Sequence, residues 1–451
     1  MKTILIPILQ GVEARNILRT DIFRVLRAAP GIGIVLLVPH QQKLEYYRKE
    51  FFGPNINYEV FENYRSNWLD RWFGNLKIYL LRTVTMDIKR KIRLEDEGNY
   101  FLYALSWIGN RIFSRKFFRK IFRFADHFLI HNRQIVEMLD RHQPSLVFAA
   151  HPFSDLEAAL LREAKRRGIR TIGIINSWDK FTARNIIRVL PDKLVVHNEI
   201  IKKEALDYGD FPEKDIEISG VPHFDYYTKP PRVSRKELFK KMGFDFEKKV
   251  VLFSPVGKSF SDVDWELIQI MDELVKTGKI IFPVQFLVRF PPNDVVDLGP
   301  LSDKPNFIFE TPGVRFSKDR GIDWDMTTEE LLHLRDEFAH INLLITHVST
   351  LAIEAAIADK PIIAIDFDGK KKRLLSQSAT RLLRFTHFQP MLRSGGVRVV
   401  KNEEELAGAI NDYLKKPTLD CSGRKQIVHD QCWKIDGLAG QRVGKFILNQ
   451  L

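Results

Sequence analysis

The sequence predicts an α/β protein of two doubly wound, Rossmann-like domains facing across a cleft, with a helical basic insertion in the first. Three observations carry this. Strand-length apolar runs alternate with helical patterns along most of the 451 residues, the signature of parallel sheets built from βαβ units. A proline-bearing segment around Pro222, Pro230 and Pro231 interrupts the series, which then restarts. Between Arg65 and Arg133 the alternation is replaced by long helical patterns carrying 15 Lys/Arg against 6 Asp/Glu.

In chain order, "TILIPIL" and "GIGIVLLV" are the first two strands, and the insertion of about residues 64–133 follows. "PSLVFAA", the helix "DLEAALLREAKRRG" ending on Gly168, "IRTIGIIN", "DKLVVHN" and "IEISG" complete the first domain. Its boundary falls in the Pro-rich connector, giving residues 1–228 and 229–451. The second series is "KKVVLFS", "IIFPVQFLVRF", "NFIFE", "NLLIT" and "PIIAID". Ligands of such sheets bind beyond the carboxyl ends of the strands, so the loops at those ends are where function is sought.

Composition narrows the class. A chain that is 45% apolar buries two cores, and two cysteines support neither a disulfide framework nor a zinc ribbon, which favours a reducing, cytoplasmic setting. "TILIPIL" is too short for a signal peptide, and no run of about 18 apolar residues spans a bilayer. The formal charge of +13 is concentrated in the insertion. There "RIFSRKFFRKIFRFADHF" puts Phe113, Phe117, Ile121, Phe124 and Phe128 on one helical face and Arg115, Lys116, Arg119, Lys120 and Arg123 on the opposite one. The expectation is either an apolar face packed on the domain with a solvated basic face, or basic contact with an anionic membrane surface from the cytoplasmic side. Nucleic acid is disfavoured, since charge is unaccompanied by any recognisable reader.

In "NLLITHVSTLAIEAAIADKPIIAID" the polar residues cluster in the turn between strand and helix. Ser349 and Thr350 can cap the helix and leave its first N–H groups to a phosphate, and Glu354 either reaches ribose hydroxyls or is a first-turn acid. "LFSPVGKSFSD" ends a strand in Gly-Lys-Ser, but Leu252 stands where a P-loop needs glycine, which disfavours an ATPase reading. In the first domain, "QGVEARN", "HPFSD" and "NSWDKFTARN" follow strands and bring Glu13, His151, Asp155 and Asp179 to one sheet edge. His151, Asp179 and Glu13, ranked in that order, are the candidate general bases; Asp155 sits where a helix N-cap would, and Trp178 and Arg184 lie in the Asp179 loop. The histidines lack metal-ligand spacing, so no metal or cofactor is expected.

The strand, Ser/Thr turn, Glu-bearing small-residue helix and "DKPIIAID" together resemble the donor-nucleotide motif of GT-B glycosyltransferases. They are nearest to the CDP-glycerol glycerophosphotransferases and UDP-N-acetylglucosamine 2-epimerase-like members. "ISGVPHFD", residues 218–225, resembles the G-x-P-x-x-D segment closing their first domain. His347 stands where an acidic residue is common, and "VRFPPND" replaces Arg-x-His-Pro. The resemblance implies a donor site including Ser254, Lys258, Ser259, Arg289, His347, Ser349, Thr350 and Glu354. It also implies metal-independent transfer of a sugar from a nucleotide-activated donor to a cell-surface glycan or glycolipid acceptor. Glycerophosphate transfer from CDP-glycerol, UDP-sugar 2-epimerisation and a non-catalytic nucleotide-sugar or membrane-surface binding protein are the alternatives.

Overall fold

Seven strands of the first half pair in parallel in the order β3-β2-β1-β4-β5-β6-β7. They are β1 (Lys2–Pro7), β2 (Ile32–Val38), β3 (Ile56–Val60), β4 (Leu146–Ala149), β5 (Arg170–Ile174), β6 (Lys193–Val196) and β7 (Ile216–Ile218). All run the same way, with Ile4 beside Ile34 and Leu146, and Ile172 beside Lys193. The computed structural model describes residues 1–62, 64–258, 260–294, 296, 304–317, 323–347 and 349–451. In the second half, β8 (Lys249–Ser254), β9 (Val284–Arg289), β10 (Phe307–Glu310), β13 (Leu343–Thr346), β14 (Ile362–Ile365) and β15 (Arg398–Val400) form a parallel sheet ordered β10-β9-β8-β13-β14-β15. A short antiparallel pair, β11 (Val314–Arg315) and β12 (Trp324–Asp325), stands apart. The strands are near-continuous apolar runs because helices cover both faces: every residue of β2 and of β9 is buried.

Contacts divide the chain into Met1–Arg90 with Asn99–Asp225 and Trp433–Leu451, and Lys91–Gly98 with Tyr226–Cys432. The change near residue 226 falls close to the expected boundary, but the last nineteen or so residues do not follow it. The helix Ala439–Leu448 belongs to the first unit, where Val443 and Ile447 join the core containing Ile22 and Leu26. The "GVPHFD" segment makes this return: the Asp225 carboxylate accepts the Ala439 and Gly440 N–H groups at 3.1 and 2.8 Å, holding that helix at its amino end. Gly220, at φ +83°, passes so close to Ala439 and Arg442 that a Cβ would lie 3.3 Å from each.

The insertion is helical, with long segments at Trp68–Leu76, Val84–Glu97, Tyr100–Phe113 and Lys116–Leu129. The last is turned opposite to the apolar-inward expectation. Phe113, Phe117, Ile121, Phe124 and Phe128 are exposed, while Phe122 and Asp126 are buried. Of the five basic residues expected on a free face, Arg115, Lys116 and Lys120 are exposed, but Arg119 and Arg123 point inward. Both donate to the buried Asp210 carboxylate, Arg119 at 2.7 and 2.8 Å and Arg123 at 2.6 Å. The reason is electrostatic: a buried carboxylate held by two guanidinium groups fixes the helix against the β6–β7 side of the unit, and the aromatic stripe is left outside.

Candidate functional site

In the first unit the loops after β1, β4 and β5 deliver Glu13, His151 and Asn176 to the carboxyl edge of the sheet, because all these strands are parallel. Glu13 and His151 are both buried, with Oε1 and Nδ1 3.6 Å apart. Glu13 is anchored from its other oxygen, which accepts the Gln10 N–H at 2.8 Å and also the Leu9 N–H. Glu13 Oε1 thus stands beside the ring, though at 3.6 Å neither it nor His151 Nδ1 has a hydrogen-bond partner among the described residues.

Two further side chains complete the group. Lys180 Nζ lies 3.3 Å from His151 Nε2, and Glu157 accepts the His151 backbone N–H at 2.7 Å. Burial, with Lys180 and Arg184 adding to it against Glu13, lowers the His151 pKa, so the ring is neutral and able to take a proton. Burial and the Glu13 charge push Glu157 well above the usual carboxylate range, favouring its protonated form. Burial lowers Lys180 as well. Beside them, the Asn176 side-chain amide is buried with neither its nitrogen nor its oxygen bonded among the described residues. His197 after β6 and His223 after β7 also stand on this edge, His197 buried and His223 half-buried, each with one ring nitrogen unbonded among the described residues. Burial, with Arg15 adding to it, lowers both, His197 to about 4.

Asp179 is half-buried and accepts the Ser177 hydroxyl at 2.6 Å. Asp155 is the first residue of its helix, not the cap. Ser154 is the cap, and Asp155 instead joins Lys77 and Arg188 at 2.7 and 3.0 Å. Trp178 is half-buried against the cluster of Phe153, Ile175 and Phe181, and Arg184 is exposed. Lys180, Glu157, His197 and His223 went unread in the sequence. Lys180 directly follows Asp179, and the histidines end strand-like runs, which is the signal that would have found them.

The second unit arranges the expected donor residues differently from the expectation. Ser349 Oγ accepts the Leu351 N–H at 3.2 Å, while Thr350 is the helix cap by position without a side-chain bond. The N–H groups of Ala352 and Ile353 are already bonded to Ser349 and Thr350 carbonyls at 3.1 and 2.9 Å, so these amides are not free for a phosphate. His347 is fully buried, with Nδ1 2.8 Å from the Ile365 carbonyl and Nε2 unbonded among the described residues. Glu354 is buried and accepts the Tyr227 hydroxyl.

Ser254 ends β8, its carbonyl accepting the Thr346 hydroxyl at 3.3 Å. In the loop beyond it the Val256 and Gly257 N–H groups are held by Asp264 at 3.0 and 2.9 Å, and the Lys258 N–H by Asp294 at 2.8 Å. Carboxylates thus fill the amide positions that a phosphate would take. The Lys258 side chain is exposed, and Ser259 lies outside the described residues.

Arg289 corrects a second expectation. It is buried and bonded to Glu310 and to Glu337, the latter at 3.0 Å, so it is not a free counter-charge for a diphosphate. His333 joins the same carboxylates at 3.1 and 3.2 Å. Glu310, His333 and Glu337 have the spacing of a metal site. Bonds from both carboxylates raise His333 to about 9. Burial works against ionised Glu310, but His333 and Arg289 outweigh it and hold the group near 2. The charges of the cluster are therefore balanced from within.

Two α/β units, each built on a parallel main sheet, with polar side chains gathered at the carboxyl edge of the first sheet and a Ser/Thr turn after a central strand of the second, have the GT-B type of fold. The chain is similar over 164 residues, at 26% identity, to the processive diacylglycerol beta-glucosyltransferase of Bacillus subtilis (strain 168). That stretch takes in 35% of this chain and 41% of the relative, so less than half of the relative's length is matched. No family model matches. Among solved structures the chain is similar over its whole length to S. aureus MnaA in co-structure with UDP, at a TM-score of 0.58, 12% identity and 98% of that chain. It is likewise similar to UDP-GlcNAc 2-epimerase from Neisseria meningitidis bound to UDP-GlcNAc, at 0.55, 13% identity and 100% of that chain. A glycosyltransferase from Rickettsia africae matches at 0.50, 12% identity and 99% of that chain. At these identities the structural likeness establishes the fold.

Proposed function

We propose that the protein is a glycosyltransferase that takes a sugar from a nucleotide-activated donor, with His151 as the base that activates the acceptor hydroxyl. The observation that carries this is the buried Glu13–His151–Lys180 group on the carboxyl edge of the first sheet. Glu13 orients the ring from the Nδ1 side. Lys180 faces Nε2, the nitrogen left to receive a proton. As the acceptor oxygen bonds to the anomeric carbon, the bond from that carbon to the donor phosphate breaks. The nucleoside diphosphate leaves, and the acceptor proton passes to His151. The donor is assigned to the second unit at the turn containing His347, Ser349 and Thr350. The similar structures bound to UDP and UDP-GlcNAc support a uridine nucleotide, and the diacylglycerol glucosyltransferase supports a lipid acceptor.

The test is thermal shift with UDP-, GDP-, CMP-, CDP- and dTDP-linked sugars, then transfer from each stabilising donor to dioctanoylglycerol and to glycan acceptors. His151→Ala is expected to keep donor binding and lose about 10²- to 10⁴-fold in turnover, the usual contribution of a positioned base. Full turnover in His151→Ala removes it as the base. Epimerisation of UDP-GlcNAc without any acceptor would replace the transferase reading with the 2-epimerase one.

A further inference from the structure

The helical insertion exposes a surface that water alone does not explain. Tyr100 is 76% exposed, and Phe117 and Phe124 are each 66% exposed, on two successive helices; Trp68 and Trp72 stand out from a third. Scattered apolar residues on a surface are ordinary, but a run of aromatics on neighbouring helices marks an interaction site. Chance orientation is not the cause, since Arg119 and Arg123 lock the Lys116–Leu129 helix to Asp210 with its aromatic side outward.

Opening in this surface is an apolar cavity of about 490 Å³, inside the range of about 300–1,000 Å³ found for small-molecule sites. Phe73, Leu76, Leu80, Leu105, Phe113 and Phe122 are among its walls, and no charged residue lines it. The surroundings are cationic. Arg115, Lys116 and Lys120 are exposed beside the aromatic stripe, and the Arg111 guanidinium lies over the Trp107 ring. From Tyr100 to Leu129 the sequence holds a single carboxylate, Asp126, which is buried and bonded to Arg162 and Arg188. An aromatic face with a cationic fringe and no exposed acid complements an anionic bilayer interface: rings enter the headgroup boundary while Lys and Arg meet phosphate. A second copy of this chain fits poorly, because a two-fold contact would bring like-charged fringes together.

We propose that the helices Trp68–Leu76, Tyr100–Phe113 and Lys116–Leu129 rest on an anionic phospholipid bilayer, and that the cavity between them receives an acyl chain of one of its lipids. The inference goes beyond the transferase reading and stands without it, because its test needs neither donor nor turnover.

The experiment uses the full chain with vesicles of phosphatidylcholine containing phosphatidylglycerol, and with monomeric diheptanoyl phosphatidylglycerol. Wild type is expected to co-sediment with the vesicles, and lipids brominated in the acyl chain are expected to quench its tryptophan fluorescence. Phe117→Ser with Phe124→Ser, at exposed positions, is expected to weaken sedimentation at least tenfold. Gly109→Leu is the cavity plug: a Cβ there would meet Tyr79 and Phe113 at 3.6 and 3.8 Å, ordinary contacts, so the side chain can grow into the space. It is expected to keep sedimentation and to bind diheptanoyl phosphatidylglycerol at least tenfold more weakly; Leu105→Trp is a second plug should the first misfold. The proposal is overturned if wild type ignores the vesicles at low salt, if both folded plugs bind the short lipid like wild type, or if the double serine variant instead dissociates a dimer.

Discussion

Asp210→Asn would test what sets the face of the Lys116–Leu129 helix. Asp210 sits at φ +60°, a left-handed conformation that Asn tolerates as well as Asp, so the exchange removes charge without straining the turn. What it leaves is Arg119 and Arg123, both largely buried, without their shared carboxylate. Stranding a buried charge in this way costs about 3–5 kcal/mol. If the helix opens locally, that figure appears as about 10²- to 10⁴-fold faster amide hydrogen exchange in peptides covering residues 116–129, at about 1.4 kcal/mol per tenfold. Replacing Arg119 and Arg123 by Met in the same variant is expected to restore much of the protection, since an apolar isostere need not be paired. Acid gives an independent reading. Burial works against ionised Asp210, but the two arginines overcome it and hold its pKa below the usual value. The pair is therefore fully stabilising above about pH 4 and is lost as pH falls through the depressed folded-state value. Unchanged exchange in Asp210→Asn would refute the claim that this ion pair orients the helix.

Three further outcomes are expected in the second unit. Burial lowers His347 to about 4 against about 6.5 unfolded, so its stabilising contribution is complete above about pH 6.5 and falls away towards pH 4; at pH 5 about 2 kcal/mol is lost. His347→Asn, which can keep the bond to the Ile365 carbonyl, should show a shallower loss of urea resistance between pH 7 and 5, and equal slopes would contradict the assignment. At the proposed donor turn, Ser349→Ala should cost about 1 kcal/mol of stability by deleting the hydrogen bond that its Oγ accepts from the Leu351 N–H. Thr350→Ala should leave stability within about 0.5 kcal/mol and weaken UDP binding, and undiminished UDP affinity would remove Thr350 from the donor site.

Periodicity exposed the sheet strands with continuous apolar runs, because helices on both faces leave those strands no polar side. It missed β3 and β15, edge strands whose "INYEV" and "RVV" mix exposed and buried positions. The parallel-sheet rule brought Glu13 and His151 together, since loops after parallel strands share one edge whatever their separation along the chain. The anchoring of Glu13 was not legible: it depends on which of its oxygens the Leu9 and Gln10 amides hold. The aromatic helix shows a deeper limit. An amphipathic pattern defines two faces but not which one is inside, and here the decision was made by Asp210, 91 residues from Arg119. Arg289 escaped for the same reason, its partners Glu310 and Glu337 lying 21 and 48 residues away.

The return of the Ala439–Leu448 helix to the first unit sets an order for synthesis. Val443 and Ile447 fill the core around Ile22, and Gly444 is pressed so tightly against Val25 that a Cβ would come within 2.7 Å of its side chain. As the ribosome emits the chain, nearly all of the second unit is outside the exit tunnel before the piece that closes the first one exists. The first unit must wait with an apolar groove open along the Asp21–Ala28 helix, a state that invites chaperone capture. A stop codon placed after Cys432 would then damage the half of the protein made earliest and spare the half made last.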